Sequence, residues 1–204
     1  MKSEFHVRNP VFVLSLILFV ISLTGCISNT RSQNSTLLID GSIGIENFNR
    51  VGEANWQATE NDIQANKSSS TYAYLITKSP YKNFRLTVEF WVSDDANSGV
   101  FFRCQDPQNI TAENCYEANI FDQRPDPSYR TGGIVLIAKS PTPMPKAGGK
   151  WNMYEITANG PHLKLVLNGV ITVDIQDNKL AEGYLALQWG GGTIKFRRVE
   201  IQSL

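Results

Sequence analysis

A carboxylate and an amide, Glu117 and Asn119, stand two residues apart in the segment Tyr116–Phe121 and could do chemistry together. Successive side chains of a β-strand point to opposite faces, so on a strand these two side chains share a face. A carboxylate on the open face of a sheet can act as a general base that removes a proton from a bound molecule. The pattern equally fits a glutamate that pairs with a nearby arginine for structural reasons.

Arg103 is the second candidate, because its planar guanidinium can bind an enolate oxygen or sugar hydroxyls through several hydrogen bonds. It stands near the end of a predicted strand, Gly99–Cys104. Its alternative roles are a salt bridge at the rim of the sheet or an ion pair with Glu117 itself.

Two cysteines, Cys104 and Cys115, bear on whether these candidates share a site. If the cysteines lay directly opposite each other in a hairpin, Arg103 and Glu117 would fall on opposite faces. A shared site instead needs Arg103 directly opposite Glu117, with the cysteines bridged outside the regular ladder or left as thiols. We expect the shared site, since Phe102 suits a core better than Glu117 does. An exported domain favours the disulfide.

Other residues could contact a sugar ring. Trp91 and Trp189 could stack on its apolar face, and the glycines Gly99 and Gly190–Gly192 leave room for it. Polar contacts are expected from Asn97, Asn119, Asp122, Thr131, Lys146 and Gln188. Each type also has a structural role, because tryptophans fill cores, glycines make tight turns and polar loop residues form solvated turns.

Composition excludes several classes of protein. The 204 residues are 42% hydrophobic and 19% charged, which is typical of a soluble globular domain and excludes collagen, intrinsic disorder and a polytopic membrane protein. Lys and Arg number 19, as do Asp and Glu, so there is no basic excess and no nucleic-acid partner is predicted. Only His6 and His162 are present, which excludes a His-rich zinc site and disfavours a Ser-His-Asp triad.

No cofactor is predicted with certainty. A divalent cation held by oxygen ligands stays open, because loop 122–131 supplies the carboxylates of Asp122 and Asp126.

The first 25 residues are typical of an export signal. Lys2 and Arg8 precede the 13-residue apolar run Val11–Leu23, which is too short for a membrane span of about 20 residues. The sequence LTGC that ends at Cys26 resembles the bacterial lipobox, in which the cysteine is acylated. We therefore expect a signal peptide at 1–25 and a lipid anchor on Cys26 that holds the protein to a bilayer.

The polar residues that follow predict a flexible tether at 26–36 and a single domain at 37–204. Ile27, directly after the acylated cysteine, resembles the sorting signal of lipoproteins in the outer membrane of Gram-negative bacteria. The expected location is thus the cell envelope and, in a Gram-negative cell, the outer membrane facing the periplasm.

Beyond the tether, apolar and polar residues alternate as they do in β-strands. The segment Phe84–Val92 (FRLTVEFWV) places its apolar residues on one face, which predicts a half-buried strand. Asn168-Gly169 between two apolar runs predicts a tight hairpin. Further strands are predicted at Tyr72–Thr77, Gly99–Cys104, Tyr116–Phe121, Gly133–Ala138, Trp151–Asn159, His162–Leu167, Val170–Ile175, Gly183–Gln188 and Ile194–Ile201. Many short strands joined by turns predict an all-β, antiparallel sandwich or jelly roll.

The order of several segments resembles a known family. The segments are FRLTVEF at Phe84–Phe90, NSGVFFR at Asn97–Arg103, YEANIFD at Tyr116–Asp122, WNMYEI at Trp151–Ile156 and GYLALQ at Gly183–Gln188. Together they resemble the 3-keto-disaccharide hydrolase family over Leu37–Leu204. The resemblance implies a concanavalin A-like jelly roll in an exported bacterial protein, with a sugar or 3-keto-sugar as its ligand.

The resemblance also implies a reaction. Members of the family act as 3-keto-glycoside lyases and 3-keto-2-hydroxy-glucal hydratases. The C3 ketone makes the C2 proton acidic, a base removes that proton, the C1 substituent leaves, and water adds to the enone. This chemistry needs a base and an electrophile for the enolate oxygen, for which Glu117 and Arg103 are the candidates.

One position departs from the family pattern. Members often carry a histidine in a motif like L-Q-x-H-G, and here Gly190 stands at that position. Three functions therefore remain open. The first is the lyase and hydratase activity, the second is glycan binding without catalysis, and the third is a structural or interaction role in the envelope.

Overall fold

Alternating burial shows which face each strand turns to the core. In the strand Phe84–Val92, the side chains of Phe84, Leu86, Val88, Phe90 and Val92 are buried, while those between them are half-buried or exposed. Side chains of a strand alternate between faces, so this strand buries one face against a second layer. The predicted half-buried strand is confirmed.

The computed structural model describes Met1 and residues 35–204, which form thirteen strands and two short 3-10 helices, Ile45–Asn47 and Pro127–Tyr129. The strands are β1 (Ser35–Asp40), β2 (Phe48–Val51), β3 (Gln57–Ala58), β4 (Ile63–Ala65), β5 (Ala73–Thr77), β6 (Phe84–Val92), β7 (Ser98–Cys104), β8 (Tyr116–Ile120), β9 (Trp151–Asn159), β10 (His162–Leu167), β11 (Val170–Gln176), β12 (Tyr184–Trp189) and β13 (Ile194–Ser203).

The strands form two antiparallel sheets that pack face to face. The larger sheet has eight strands in the order β11-β10-β9-β6-β13-β4-β3, with β1 also paired to β13. The smaller sheet has five strands in the order β2-β5-β12-β7-β8. Their facing side chains make one continuous core, so the all-β jelly-roll sandwich predicted from the sequence is confirmed.

The five-stranded sheet also buries part of its second face, which we call its outer face. Tyr74, Ile76, Phe101 and Ala186 form a separate small cluster there, together with Ile110 and the two cysteines. The segment 105–114, which joins β7 to β8, contributes Ile110 and so covers part of this face. Because the outer face is only partly covered, its side chains can line a cleft.

The hairpin predicted at Asn168-Gly169 is present between β10 and β11. Leu167 pairs with Val170 across the turn, and Asn168 and Gly169 have φ values of 51° and 80°. Both central residues of a type I′ turn need positive φ, which asparagine and glycine tolerate.

The strand predicted at Gly133–Ala138 is wrong. The chain reverses there, with the Ile134 amide donating to the Ala138 carbonyl at 2.9 Å and the Ala138 amide donating back at 2.8 Å. Leu136, in the middle of the reversal, has a φ of 64°. The apolar residues of this segment are compatible both with a strand and with a tight turn whose outer residue faces solvent.

The short strands β1 to β4 were not predicted, because two to six residues carry too little alternation to be recognised. β1 begins at Ser35, inside the segment 26–36 assigned to the tether. The predicted signal peptide, Cys26 and nearly all of the tether lie outside the described residues. Among the described residues, no helix is long and apolar enough to cross a membrane.

The register of β7 with β8 differs by two positions from the expected one. A shift of two leaves each side chain on the face that was predicted for its position in the strand. Phe101, not Arg103, lies opposite Glu117. Phe101 and Glu117 therefore share the outer face, while Phe102 and Tyr116 point into the main core. Cys104 and Cys115 form a disulfide beyond the end of this ladder.

Arg103 does not join Glu117, and its expected role as an electrophile is wrong. Its backbone adopts a φ of 54°, so its side chain leaves the regular alternation. The guanidinium is fully buried and donates to the carbonyls of Lys82, Gly160 and Leu180 at 2.8 to 3.2 Å. Arg103 thereby ties together three connecting segments at one end of the sandwich.

We expect R103K to destabilise the fold by about 2–4 kcal/mol, because a lysine lacks the fork that serves three carbonyls at once. Chemical denaturation measures the change. R85K, on an exposed arginine of β6, is the matched control and should stay within about 0.5 kcal/mol of the wild type. Loss of sugar binding by R103K without loss of stability would contradict this structural role.

Candidate functional site

A cleft of about 370 Å³ opens on the outer face of the five-stranded sheet. Its polar lining includes Tyr74, Asn97, Glu117, Arg124 and Gln188. These residues come from β5, β12, β8 and the loops beside them, so the sheet order β5-β12-β7-β8 brings together side chains that are far apart in sequence.

Glu117 is the carboxylate of the cleft floor. It is only 7% exposed, yet among residues 35–204 its carboxylate has no hydrogen-bond partner and no ion pair within 4 Å. Burial raises its pKa to about 7, while the positive charge of Arg124 opposes that rise and the negative charge of Glu113 adds to it. A carboxyl group with this pKa exchanges a proton near neutral pH and is suited to general acid–base chemistry.

Gly99 makes the space that Glu117 occupies. A Cβ atom at position 99 would lie 3.1 Å from both Cγ and Oε1 of Glu117 and 3.2 Å from the Phe101 ring. These distances are tighter than ordinary contacts, so a larger residue would push the carboxylate or the ring aside. The glycine is therefore required for close packing under the carboxylate.

Gln188 and Tyr74 form a fixed pair beside Glu117. Gln188 lies opposite Tyr74 in the β12–β5 ladder, and its Nε2 donates to the Tyr74 hydroxyl at 3.4 Å, which in turn donates to the Ile110 carbonyl at 3.4 Å. The Oε1 atom of Gln188 is buried and has no hydrogen-bond partner among the described residues. Because a buried acceptor without a donor is costly, this oxygen is suited to accept from a ligand hydroxyl.

Burial raises the pKa of Tyr74 to about 12, a rise to which the charge of Glu117 contributes and which the hydrogen bond from Gln188 opposes. The Tyr74 hydroxyl therefore stays protonated at neutral pH and can keep donating to the Ile110 carbonyl. Its ring packs edge-on against Phe101 at 5.6 Å.

Gly190 lies next to two residues of the cleft lining. A Cβ atom at this position would lie 2.9 Å from Asn97 Nδ2 and 3.1 Å from Tyr72 Cδ1. Asn97 and Tyr72 both line the cleft, so they fill the space next to the position at which the family pattern often has a histidine. In this chain, the amide of Asn97 is the polar group nearest that position.

Most of the lining residues were missed by sequence reasoning, among them Tyr72, Tyr74 and Arg124. The two tyrosines alternate in phase at the start of a predicted strand, which was a usable signal. Arg124 has none, because it lies in a loop of proline and polar residues and reaches the cleft only through the fold.

The predicted tryptophan platforms do not line this cleft. Trp91 lies on the outward side of the eight-stranded sheet, with Lys195 Nζ 5.4 Å from its ring centroid. Trp189 points toward the main core and its indole donates to the Gly192 carbonyl at 3.0 Å. Trp91 fails because β6 belongs to the other sheet, and Trp189 fails because the parity of β12 turns it away from the cleft. Tyr72, 48% exposed, is the aromatic residue at the cleft rim.

Lys146 and Asp122 line a different hollow, of about 570 Å³. Asp122 is used structurally, because its carboxylate accepts from the Ala147 and Gly148 amides and from Thr131 Oγ1. The expected contacts of Asp122, Thr131 and Lys146 with a ligand in the Glu117 cleft are therefore not supported by their positions.

Asn119 shares the face of Glu117, as predicted, but is fully buried beneath the segment that follows. Its Nδ2 donates to the Tyr129 carbonyl, and its Oδ1 has no partner within residues 35–204. It does not line the cleft.

The loop carboxylates do not assemble into a cation site. Asp126 Oδ1 accepts from the Ser128 amide at 2.9 Å and caps the short helix that follows. No group of three or more His, Cys, Asp or Glu side chains placed to hold a metal ion occurs within the described residues.

The raised pKa of Glu117 predicts a pH-dependent cost to stability. Below about pH 4.5 the group is neutral in both the folded and unfolded states. Above about pH 7 the unfolded chain gains a free carboxylate while the fold must bury one, which costs about 3 kcal/mol. We therefore expect E117Q to be more stable than the wild type at pH 8, with no such gain at pH 4.

Urea denaturation across this pH range measures the difference. E60Q is the matched control, since Glu60 is exposed, and its stability should follow that of the wild type. An E117Q variant that tracks the wild type at every pH would contradict the burial of the carboxylate.

Solved structures share this fold at low sequence identity. A candidate glycosyl hydrolase from Parabacteroides distasonis superposes with a TM-score of 0.70 at 19% identity, over 84% of this chain and 94% of that one. A second one from the same organism gives 0.66 at 24% identity, over 83% and 99%. The carbohydrate-binding module CBM66 from Bacillus subtilis gives 0.60 at 18% identity, over 81% and 97%.

No curated protein matches the chain in sequence. Residues 34–202, however, match the family described as the 3-keto-alpha-glucoside-1,2-lyase-like domain. The match covers the whole sandwich, including the cleft and both sheets. The chain belongs to the 3-keto-alpha-glucoside-1,2-lyase-like domain family.

Proposed function

We propose that this protein acts on 3-keto-glycosides, removing the C2 proton, expelling the C1 substituent and hydrating the resulting enone. The observation that carries the proposal is Glu117 on the floor of the cleft, a buried carboxylate whose pKa is about 7 and which has no partner among residues 35–204. Family membership makes carbohydrate the substrate class. A base of this pKa matches a C2 proton that the neighbouring ketone has made acidic.

The first step is a proton transfer to Glu117. The C2–H bond breaks, its electron pair forms the C2–C3 double bond, and negative charge develops on the C3 oxygen. Arg124 is the cation that lines the cleft near Glu117, and it takes the electrophilic role that Arg103 cannot fill. A guanidinium is well suited to hold a developing enolate oxygen.

In the second step the C1–O bond breaks as the enolate collapses to an enone. The leaving oxygen takes the bonding electron pair and a proton, which Glu117 can return because C1 is the neighbour of C2. Water then adds across C1 and C2, with its hydroxyl on C1 and a proton on C2. The sum of the steps is hydrolysis of the glycosidic bond.

The remaining polar lining suits the ring hydroxyls. The free Oε1 of Gln188 offers an acceptor, Tyr74 offers a phenol, and the Asn97 amide offers both a donor and an acceptor. Tyr72 at the rim can cover the apolar face of a pyranose, the role first expected of the tryptophans.

E117Q should lower the rate of aglycone release by about 10²–10⁴-fold, because glutamine cannot accept the C2 proton. For the wild type, kcat/KM should rise about tenfold per pH unit up to a pH near 7 and then level off, since only the carboxylate form is a base. The measurement is enone absorbance followed together with aglycone release on a panel of 3-keto-glucosides. A fully active E117Q would overturn the assignment.

E113Q provides the directional control. Glu113 lines the cleft, and its charge raises the pKa of Glu117. Its neutralisation should therefore move the rising limb of the profile to lower pH while turnover persists. Sugar binding without release by the wild type would instead assign the protein as a non-catalytic glycan-binding protein, the function that Gly190 in place of histidine favours.

We further propose that the domain is held at the cell envelope by an acylated Cys26. The proposal rests on the LTGC sequence directly after a short apolar run. Two or more acyl chains are sufficient for a stable anchor.

C26S should abolish incorporation of labelled palmitate and release the protein from the membrane fraction. The paired variant C104S/C115S is the matched control, since it removes the other two cysteines of the chain and should keep the label. Label that persists in C26S would contradict the anchor.

A further inference from the structure

Leu136 is an apolar side chain that the fold holds out at the cleft. It is 52% exposed and lines the same cleft as Glu117. Its backbone φ of 64° lies in the left-handed region, which is unfavourable for a residue with a Cβ atom. The fold thus accepts both a strained backbone and an exposed leucine at one position.

Two other non-glycine residues within the described part of the chain share this conformation, and each has a structural reason. Asn168 begins the Asn-Gly hairpin turn, and asparagine tolerates positive φ. In Arg103, the hydrogen bonds that the guanidinium donates to three carbonyls offset the cost of this backbone conformation. The side chain of Leu136 lies largely in solvent and does not offset the cost of its backbone conformation in this way. Backbone strain of this type tends to mark functional positions.

The position of Leu136 relates it to one part of a substrate. Ile134 bridges to Ala118, and the Val135 amide donates to the Glu117 carbonyl at 3.1 Å. Ile134 and Val135 therefore lie directly beside β8, the strand that carries Glu117, and Leu136 follows them in the turn. Val135 is buried and also lines the cleft, so the two residues form one apolar wall. Tyr72 lies on the other flank, across β7 and β12.

The proposed chemistry fixes what would reach this wall. Glu117 removes the proton on C2, and C1 is bonded to C2, so the group on C1 lies next to Glu117. We propose that Val135 and Leu136 form a subsite for an apolar, aryl-type leaving group on C1 of the sugar. The orientation of the sugar in this inference rests on the proposed function. The preference for an aryl group concerns binding alone and does not depend on turnover.

The test compares phenyl and methyl glucosides, each as both anomers, by calorimetry on the wild-type protein. Neither glucoside carries the C3 ketone, so the result does not depend on turnover. The better phenyl anomer should bind about tenfold more tightly than its methyl counterpart, because the ring covers part of the exposed leucine. L136A and L136G should each remove most of that advantage while leaving the methyl glucoside unaffected.

The two variants separate side-chain contact from backbone effects. Alanine keeps the strained backbone and glycine relieves it, yet both remove the apolar contact. Neither should lower Tm by more than about 2 °C, since the side chain is largely exposed. I171A is the matched control, because Ile171 is 53% exposed on β11, outside the cleft, and it should keep the full phenyl preference.

Equal binding of the phenyl and methyl glucosides, or no measurable binding of either, would overturn the subsite. So would L136A that retains the phenyl preference. Failure of the proposed function would look different, since the phenyl preference and its loss in L136A would persist while 3-keto-glucosides released no aglycone.

Discussion

The pairing of β7 with β8 is the constraint on which the cleft depends. Phe101 lies opposite Glu117, so a buried carboxylate and the ring beside it share the outer face, while Phe102 and Tyr116 enter the main core. A slip of β8 by one residue would place Glu117 in the apolar core and turn the ring of Tyr116 out of it. The register is therefore held by the burial of the aromatic residues on both faces.

The end of the same hairpin stabilises the sandwich. Beyond Phe102 the regular ladder stops, Arg103 takes a left-handed backbone conformation, and the disulfide Cys104–Cys115 closes the segment that covers the outer face. Through Ile110, that segment packs on Tyr74 and Phe101. One short hairpin thus positions the carboxylate, anchors the connecting loops and builds a wall of the cleft.

Glu117 illustrates how a functional group can oppose stability. Its carboxylate is buried and has no partner in the part of the chain that the structure describes. Burial therefore disfavours its charged form and raises its pKa to about 7. Pairing it closely with an arginine would stabilise the charged form and weaken it as a base. Arg124 instead stands within electrostatic reach but forms no ion pair with it among the described residues, which suits a role toward a ligand.

Local patterns in the sequence were enough to predict the antiparallel sandwich, the strand at Phe84–Val92, the Asn168-Gly169 hairpin and the shared face of Glu117 and Asn119, because alternation and turn chemistry are local properties. The composition of the cleft was decided by the tertiary structure. Arg103, Trp91 and Trp189 have suitable chemistry but lie elsewhere. A left-handed residue redirects Arg103, strand parity redirects Trp189, and the strand of Trp91 belongs to the other sheet. Tyr74, Arg124 and Leu136 reach Glu117 only because strand order and loop closure bring distant segments together, and neither is encoded in the spacing of residues along the chain.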